Sequence, residues 1–213
     1  MSTLPATGTG PAPFEQFTDA DLRDLIAQFP LAWVLPCSCD AGLPSLLPML
    51  LRCDEAGRPV SLLGHLARRN PLVEPLRAAP HALFLFTGPQ GYVSPGLVSN
   101  PAWAPTWNYA QVRIEAKVRF SEGRADEALA ALVAHMDRDD ATGWQPRDVG
   151  DRYDAMERAI IAFEADITRI EGRFKLGQDE TDQTLGQILK GHRDPALVQW
   201  MRRANGERLT DTT

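Results

Sequence analysis

Between Leu31 and Thr87 the chain is a succession of short apolar runs, LAWVLPCS, SLLPMLLRC, VSLLGHL and HALFLFT, each bounded by turn residues. Runs of this length punctuated by Gly, Pro and Asp predict strands, and a chain of such strands must pair or cover every edge it creates. Asp40 to Gly42 in DAGLP and Asp54 to Gly57 in DEAGRP supply the residues that tight hairpins need. HALFLFT follows Pro80 and is apolar almost throughout, which predicts a strand buried on both faces. Tyr109 to Phe120 alternates instead. Val112, Ile114, Ala116 and Val118 fall on one side and Gln111, Arg113, Glu115, Lys117 and Arg119 on the other, the pattern of a half-exposed strand.

Helical spacing is confined to the flanks and the later part of the chain. Thr18 is placed to cap a helix carrying Leu22, Leu25, Ile26 and Phe29, with Asp21 in its first turn and Pro30 at its end. A helix is predicted over Asn70 to Arg77, with Pro71 in its first turn. Ala125, Ala128, Leu129, Leu132, Val133 and Met136 trace a helical stripe, and Tyr153, Met156, Ile160 and Phe163 trace another. Glu164 to Phe174 alternates as a late strand, with Ala165, Ile167 and Ile170 opposite charged neighbours. Two helices close the chain, Asp182 to Lys190 stopped by Gly191, and one from Asp194 and Pro195 to about Arg203. Several antiparallel strands followed by scattered helices predict an α+β protein whose sheet closes as a small barrel. The expected organisation is a flexible arm over residues 1–13, a barrel domain over 14–175 and a helical extension over 176–213 packed on the same domain.

Composition narrows the function classes. A chain of 213 residues with 44% hydrophobic content can bury a substantial core in one domain with accessories. Its net charge of −6 repels phosphate backbones and disfavours non-specific nucleic-acid binding. The apolar runs contain prolines and fall short of the roughly 20 residues a spanning helix takes. The N-terminal MSTLPATGTGPAP lacks the order of a signal peptide, and Cys37, Cys39 and Cys53 are an odd number best read as reduced thiols. These features predict a cytoplasmic protein with no membrane partner.

The candidate chemistry lies between Gly64 and Tyr109. His65, Arg68, Arg69 and Asn70 in GHLARRNP offer donors and positive charge after a strand. Ser94 and Pro95 in YVSP add a hydroxyl and a rigid turn, and Thr106, Trp107, Asn108 and Tyr109 in APTWNY add aromatic faces beside an amide. Together they suit a flat, phosphorylated heteroaromatic ligand. Each piece also has a plainer reading: the arginines as solvated residues at a helix start, His65 as a hydrogen-bonded structural residue, Trp107 as core. No HExxH, paired CxxC or carboxylate cluster is present, so no metal site is expected.

The ordered set resembles the FMN-binding, PaiB-like family of negative transcriptional regulators, split-barrel flavoproteins related to pyridoxine-phosphate oxidase. The resemblance extends to ITRIEGRFKLGQ, where Lys175 and Gln178 fall at polar positions. It implies an antiparallel split barrel, FMN as cofactor, and a homodimer with the flavin at the subunit interface. FMN needs cations or N–H groups for its phosphate, aromatic or apolar walls for its ring and polar groups at the ring edge. Arg68 is the strongest phosphate candidate, with Asn70 opening a helix whose N–H groups favour an anion. Three departures stand out. Leu46 replaces a common histidine in SLLPM, Asn100 replaces the lysine of a Ser-Lys pair before PTWNY, and Leu97 and Val98 replace an aromatic pair after Ser-Pro. The functions implied are a flavin-dependent oxidoreductase on a small substrate, a transcriptional regulator in which flavin is structural or sensory, and a haem-binding relative using His65, His81, His135 or His192. The corner at GHRDP, with Lys190, Arg193, Arg202 and Arg203, can be drawn as a helix-turn-helix, but helix–Gly–helix corners are common and direct DNA binding is not expected from it.

Overall fold

In the computed structural model, which describes residues 13–38, 43–140 and 142–210, six strands close into a barrel. The strands are β1 (Leu31–Pro36), β2 (Ser45–Cys53), β3 (Pro59–Ala67), β4 (His81–Val93), β5 (Thr106–Ser121) and β6 (Ile160–Lys175), and their order around the barrel is β1-β2-β3-β6-β5-β4. Seven α-helices accompany them among the described residues: α1 (Asp19–Gln28), α2 (Val73–Ala78), α3 (Ala125–Met136), α4 (Tyr153–Arg158), α5 (Asp182–Gly191), α6 (Pro195–Ala204) and α7 (Gly206–Thr210). The α+β split-barrel expectation is met. Residues 1–12 and the turn at Asp40 to Gly42 lie outside the described residues, as does Cys39. Cys37 and Cys53 are free thiols, and no helix among the described residues is long and apolar enough to cross a membrane.

Contacts divide the chain into two compact units, one of residues 18–88 and 111–171, the other of 1–17, 89–110 and 172–213. In the larger unit, pairing is antiparallel and register fixes which side chains face inward. Ala32 and Val34 of β1, Leu47 and Met49 of β2, and Phe84 and Phe86 of β4 are buried, alternating with outward positions. Gly64 of β3 lies opposite Met49 on one side and Phe163 on the other. A Cβ there would come within 2.7 Å of the Met49 sulfur and 2.8 Å of Phe163 Cζ, so this glycine exists because its neighbours fill the space. α1 begins as expected: Thr18 Oγ1 accepts from the Asp21 amide at 3.1 Å, and Asp21 accepts from the Thr18 amide at 2.8 Å.

In the smaller unit, α5 and α6 each bury one face, Leu185, Ile188 and Leu189 on one and Leu197, Trp200 and Met201 on the other. Thr181 caps α5 and Asp194 caps α6. Gly91 is held by close packing, since a Cβ would meet His192 and Leu197 at 2.9 Å.

Several expectations need correction. Ile160 and Phe163 belong to β6, because pairing of Ala67 with Ile160 and Gly64 with Phe163 overrides the helical spacing that links them to Tyr153 and Met156. The helix after GHLARRNP begins at Val73, not Asn70, because the Asn70 side chain accepts from the Leu72 amide and holds a turn there. HALFLFT is not buried on both faces within one chain: Ala82, Phe84 and Phe86 are inside, while Leu83 and Leu85 are half-buried on the outer side.

Candidate functional site

The predicted site residues fall into two groups, one in each unit. His65, Arg68, Arg69 and Asn70 sit at the end of β3 and in the turn that follows. His65 is half-buried with no hydrogen-bond partner among the described residues, and burial pushes its imidazole below the ordinary 6.5, which keeps the ring neutral at neutral pH. Arg68 is already engaged. Its Nε donates to the Arg158 carbonyl at 3.0 Å and a terminal nitrogen lies 2.9 Å from a Glu122 carboxylate oxygen. Arg69 is exposed and has no hydrogen-bond or ion-pair partner among the described residues. Asn70 Oδ1 accepts from Ser45 Oγ at 3.1 Å and from the Leu72 amide at 2.9 Å, leaving its amide nitrogen as the available group.

The second group is built on β5, the last residues of β6 and the turn beyond. Lys175 Nζ donates to Thr106 Oγ1 and has no carboxylate partner among the described residues. Tyr109 OH accepts from Arg173 Nε at 3.1 Å, and Arg173 also lies 3.6 Å from Glu15 and over the Phe14 ring. Trp107 is 55% exposed, with the Tyr92 ring centroid 6.0 Å from its own. That exposure argues against the core reading for Trp107, since a large aromatic left in water beside a second ring is a surface waiting for a partner. Asn108 is placed differently. It is 1% exposed and its Nδ2 donates to the Met201 sulfur at 3.6 Å, so it anchors β5 to α6 and not a ring edge.

The remaining residues hold backbone. Ser94 Oγ accepts from the Gly96 amide at 3.2 Å and, with Pro95, starts a single 3₁₀ turn over Pro95–Leu97. Gln178 accepts from the Leu176 amide at 2.7 Å and donates to the Phe174 carbonyl at 2.7 Å, so both ends of its side chain lock the turn at Gly177, where φ is +89°. Asn100 Oδ1 accepts from the Ala102 amide at 3.0 Å. The stretch from Ser99 to Trp103 is tied to the C-terminal residues: the Ser99 amide and hydroxyl bond both ends of the Gln187 side chain at 2.9 and 2.8 Å, and Trp103 Nε1 donates to Glu180 at 2.9 Å.

Sequence reasoning missed Arg173, Tyr92, Gln187 and Glu180. Arg173 had a signal, because it stands two residues before Lys175 on one strand and so shares its face. Tyr92 stands in the YVSP segment already singled out, 15 residues before Trp107, whereas Gln187 and Glu180 act across 88 and 77 residues and have none. Of the four histidines, His135 Nε2 is bonded to the Ala27 carbonyl at 2.9 Å, and His192 is bonded to the Tyr92 carbonyl and the Asp194 amide. Among the described residues no three His, Cys, Asp or Glu side chains group to hold a metal ion.

The donor set of the second group fits the ends of a flavin nucleotide: an ammonium and hydroxyl pair without a carboxylate for the phosphate, and an exposed aromatic surface for the ring. A family model described as "Putative FMN-binding domain" matches residues 10–169. An uncharacterised protein of Emericella nidulans is 29% identical over 151 residues, covering 55% of this chain and 60% of that protein. One of Aspergillus fumigatus is 26% identical over 160 residues, covering 57% and 61%, so the chain spans about three fifths of the length of these relatives. Among solved structures, an FAD and haem binding protein from Mycobacterium smegmatis superposes with a TM-score of 0.57 at 16% identity over 84% of this chain and 81% of that one. The flavocytochrome Anf3 from Azotobacter vinelandii superposes with a TM-score of 0.54 at 13% identity over 76% of this chain and 69% of that one. At these identities the structures share the fold.

Proposed function

The chain belongs to this FMN-binding family, with FMN as its cofactor, and from that premise we propose that it works as a homodimeric, PaiB-like flavoprotein in which Lys175 and Thr106 serve the phosphate and Trp107 the ring. The observation that carries the reading is the pairing of Lys175 with a neutral hydroxyl. A cation whose partner is neutral keeps its charge available for an anion, whereas Arg68 must share itself with Glu122. Bound FMN supplies one- or two-electron transfer. The residues around it bind and orient, and none forms a nucleophile and base pair.

The dimer is supported by the outer side of β2, β1 and β4. Trp33 is paired in register with Leu46 on one side and Leu85 on the other, and Leu31, Trp33 and Leu46 are 51%, 47% and 45% exposed. A contiguous apolar sheet face of this kind is a protein interface in waiting. Leu46, which replaces the family's histidine, makes that face more apolar.

Titration of the apo protein with FMN, followed by quenching of flavin fluorescence, tests the assignment. Lys175→Ala is expected to weaken FMN about tenfold or more, the scale of a charge-assisted contact, and Arg68→Ala less. Equal affinity in Lys175→Ala and wild type sinks the phosphate assignment. Colourless protein that gains no thermal stability from FMN sinks the flavin role itself. Direct DNA contact is not part of the proposal. The N-terminus of α6, the end a recognition helix would present, is already occupied by the Asp194 carboxylate accepting from Ala196 and Leu197.

A further inference from the structure

A cavity, independent of the flavin reading, opens in the larger unit between α1 and α3 over β2 and β3. Its volume of about 440 Å³ is within the range of small-molecule sites. Most of its wall is apolar, formed by Ile26, Leu50, Leu51, Leu63 and Ala131, and two guanidinium groups, Arg23 and Arg52, stand on it. An apolar cleft with cations at one part of its rim selects a ligand with an apolar body and a negative head.

Among the described residues the charges at this rim are only partly balanced. Arg23 spends one N–H on the Gly57 carbonyl at 2.6 Å and has no carboxylate partner among the described residues. Asp19, one turn earlier on α1, forms no ion pair with it. Among the described residues Arg52 has a single carboxylate contact, Glu127 at 3.3 Å, and Glu127 is more tightly held by Arg124, at 2.8 and 2.7 Å. Arg52 Nε is also buried without any hydrogen-bond partner, the one such side-chain atom among the described residues. A buried donor left unpaired is costly, and native proteins rarely keep one without a reason. His135, the imidazole on the wall, is bonded to the Ala27 carbonyl, and the Cys53 thiol is pushed up by burial and so stays neutral. The acceptor this rim lacks is an anion.

We infer that the cleft between α1 and α3 is a binding site for a small amphipathic monoanion, a carboxylate with an unbranched or aromatic apolar body. Its head pairs with Arg23 and Arg52 and its body lies on Leu50, Leu51 and Ala131. Guanidinium groups bind carboxylates through paired N–H donors, and the apolar wall rewards each buried methylene.

Decanoate, decanol and decyltrimethylammonium, titrated calorimetrically into the full chain, read head-group preference directly. Decanoate is expected to bind once per chain, at least about tenfold tighter than decanol, with no measurable heat from the cation. Arg52→Gln should remove most of the advantage of decanoate over decanol, and Ala131→Phe should abolish both while FMN binding is unchanged. Should either variant fold poorly, a photo-crosslinking decanoate bearing a mid-chain diazirine gives the same answer in wild type, labelling peptides around 50–53 and 131–135. Equal binding of decanoate and decanol, undiminished binding in Ala131→Phe, or label confined to other peptides overturns the inference. Loss of FMN binding with decanoate binding intact would count against the flavin assignment alone.

Discussion

β1 and β5 are built alike on the inside and differently on the outside. Ala32 and Val34 of β1 are fully buried, and Val112, Ile114, Ala116 and Val118 of β5 are at most 4% exposed. Outward, β1 shows Leu31 and Trp33, flanked by Leu46 and Leu85, while β5 shows Arg113, Glu115, Lys117 and Arg119. The β5 charges are paired across the surface: Arg119 holds Asp166 with two bonds of 2.6 and 2.7 Å, and Arg113 lies 2.8 Å from Glu115 and 3.4 Å from Glu171. One outer face is finished by its own ions. The other is unfinished, and burial by a second copy would finish it.

The largest expected effect breaks that contrast directly. In the proposed dimer, Trp33→Glu should raise the dissociation constant at least about a hundredfold, roughly 2.7 kcal/mol, because a charge would replace a central aromatic of the proposed apolar interface. Sedimentation across a concentration series checks it, and a variant that stays dimeric would place the interface elsewhere. Leu85→Ser, beside Trp33 in register, should weaken association by about tenfold by the same measurement. Next comes pH. His65 titrates below its unfolded value, so wild type should lose stability as pH falls from about 6.5 through the depressed pKa, and His65→Gln should flatten that part of the profile in thermal melts. Smallest is the change on the finished face. Arg119→Ala should leave association untouched and cost about 1 kcal/mol or less, since exposed pairs contribute little. The Arg119 guanidinium holds the Asp166 carboxyl below its ordinary range, so this contribution is present at neutral pH and fades as acid protonates Asp166. The acid limb of Arg119→Ala should accordingly be slightly shallower.

Local rules read much of this fold correctly. The Thr18 cap, the period of β5 and the two C-terminal helices each rest on neighbouring residues, and each stands where spacing placed it. Misreadings came where distant partners decide. Ile160 and Phe163 sit at helical spacing from Met156 yet pair with β3, and HALFLFT could not say whether its outer leucines are covered by the same chain or another. The site follows the same division. Residue types in GHLARRNP and APTWNY were legible, but Arg68's commitment to Arg158 and Glu122 and Asn108's burial against Met201 depend on residues from about 50 to 90 positions away.

Gly64 carries a consequence for how such chains diverge. Since Met49 and Phe163 already occupy the space a methyl group would need, a larger residue at 64 forces the Met49 thioether end and the Phe163 ring to shift. The three positions are packed as one unit. A descendant gains alanine there at lower cost when one of the two facing side chains has first become smaller, because trimming leaves a void while adding first makes the neighbours move. Substitution at this point of the barrel is therefore coupled to residue size at 49 and 163.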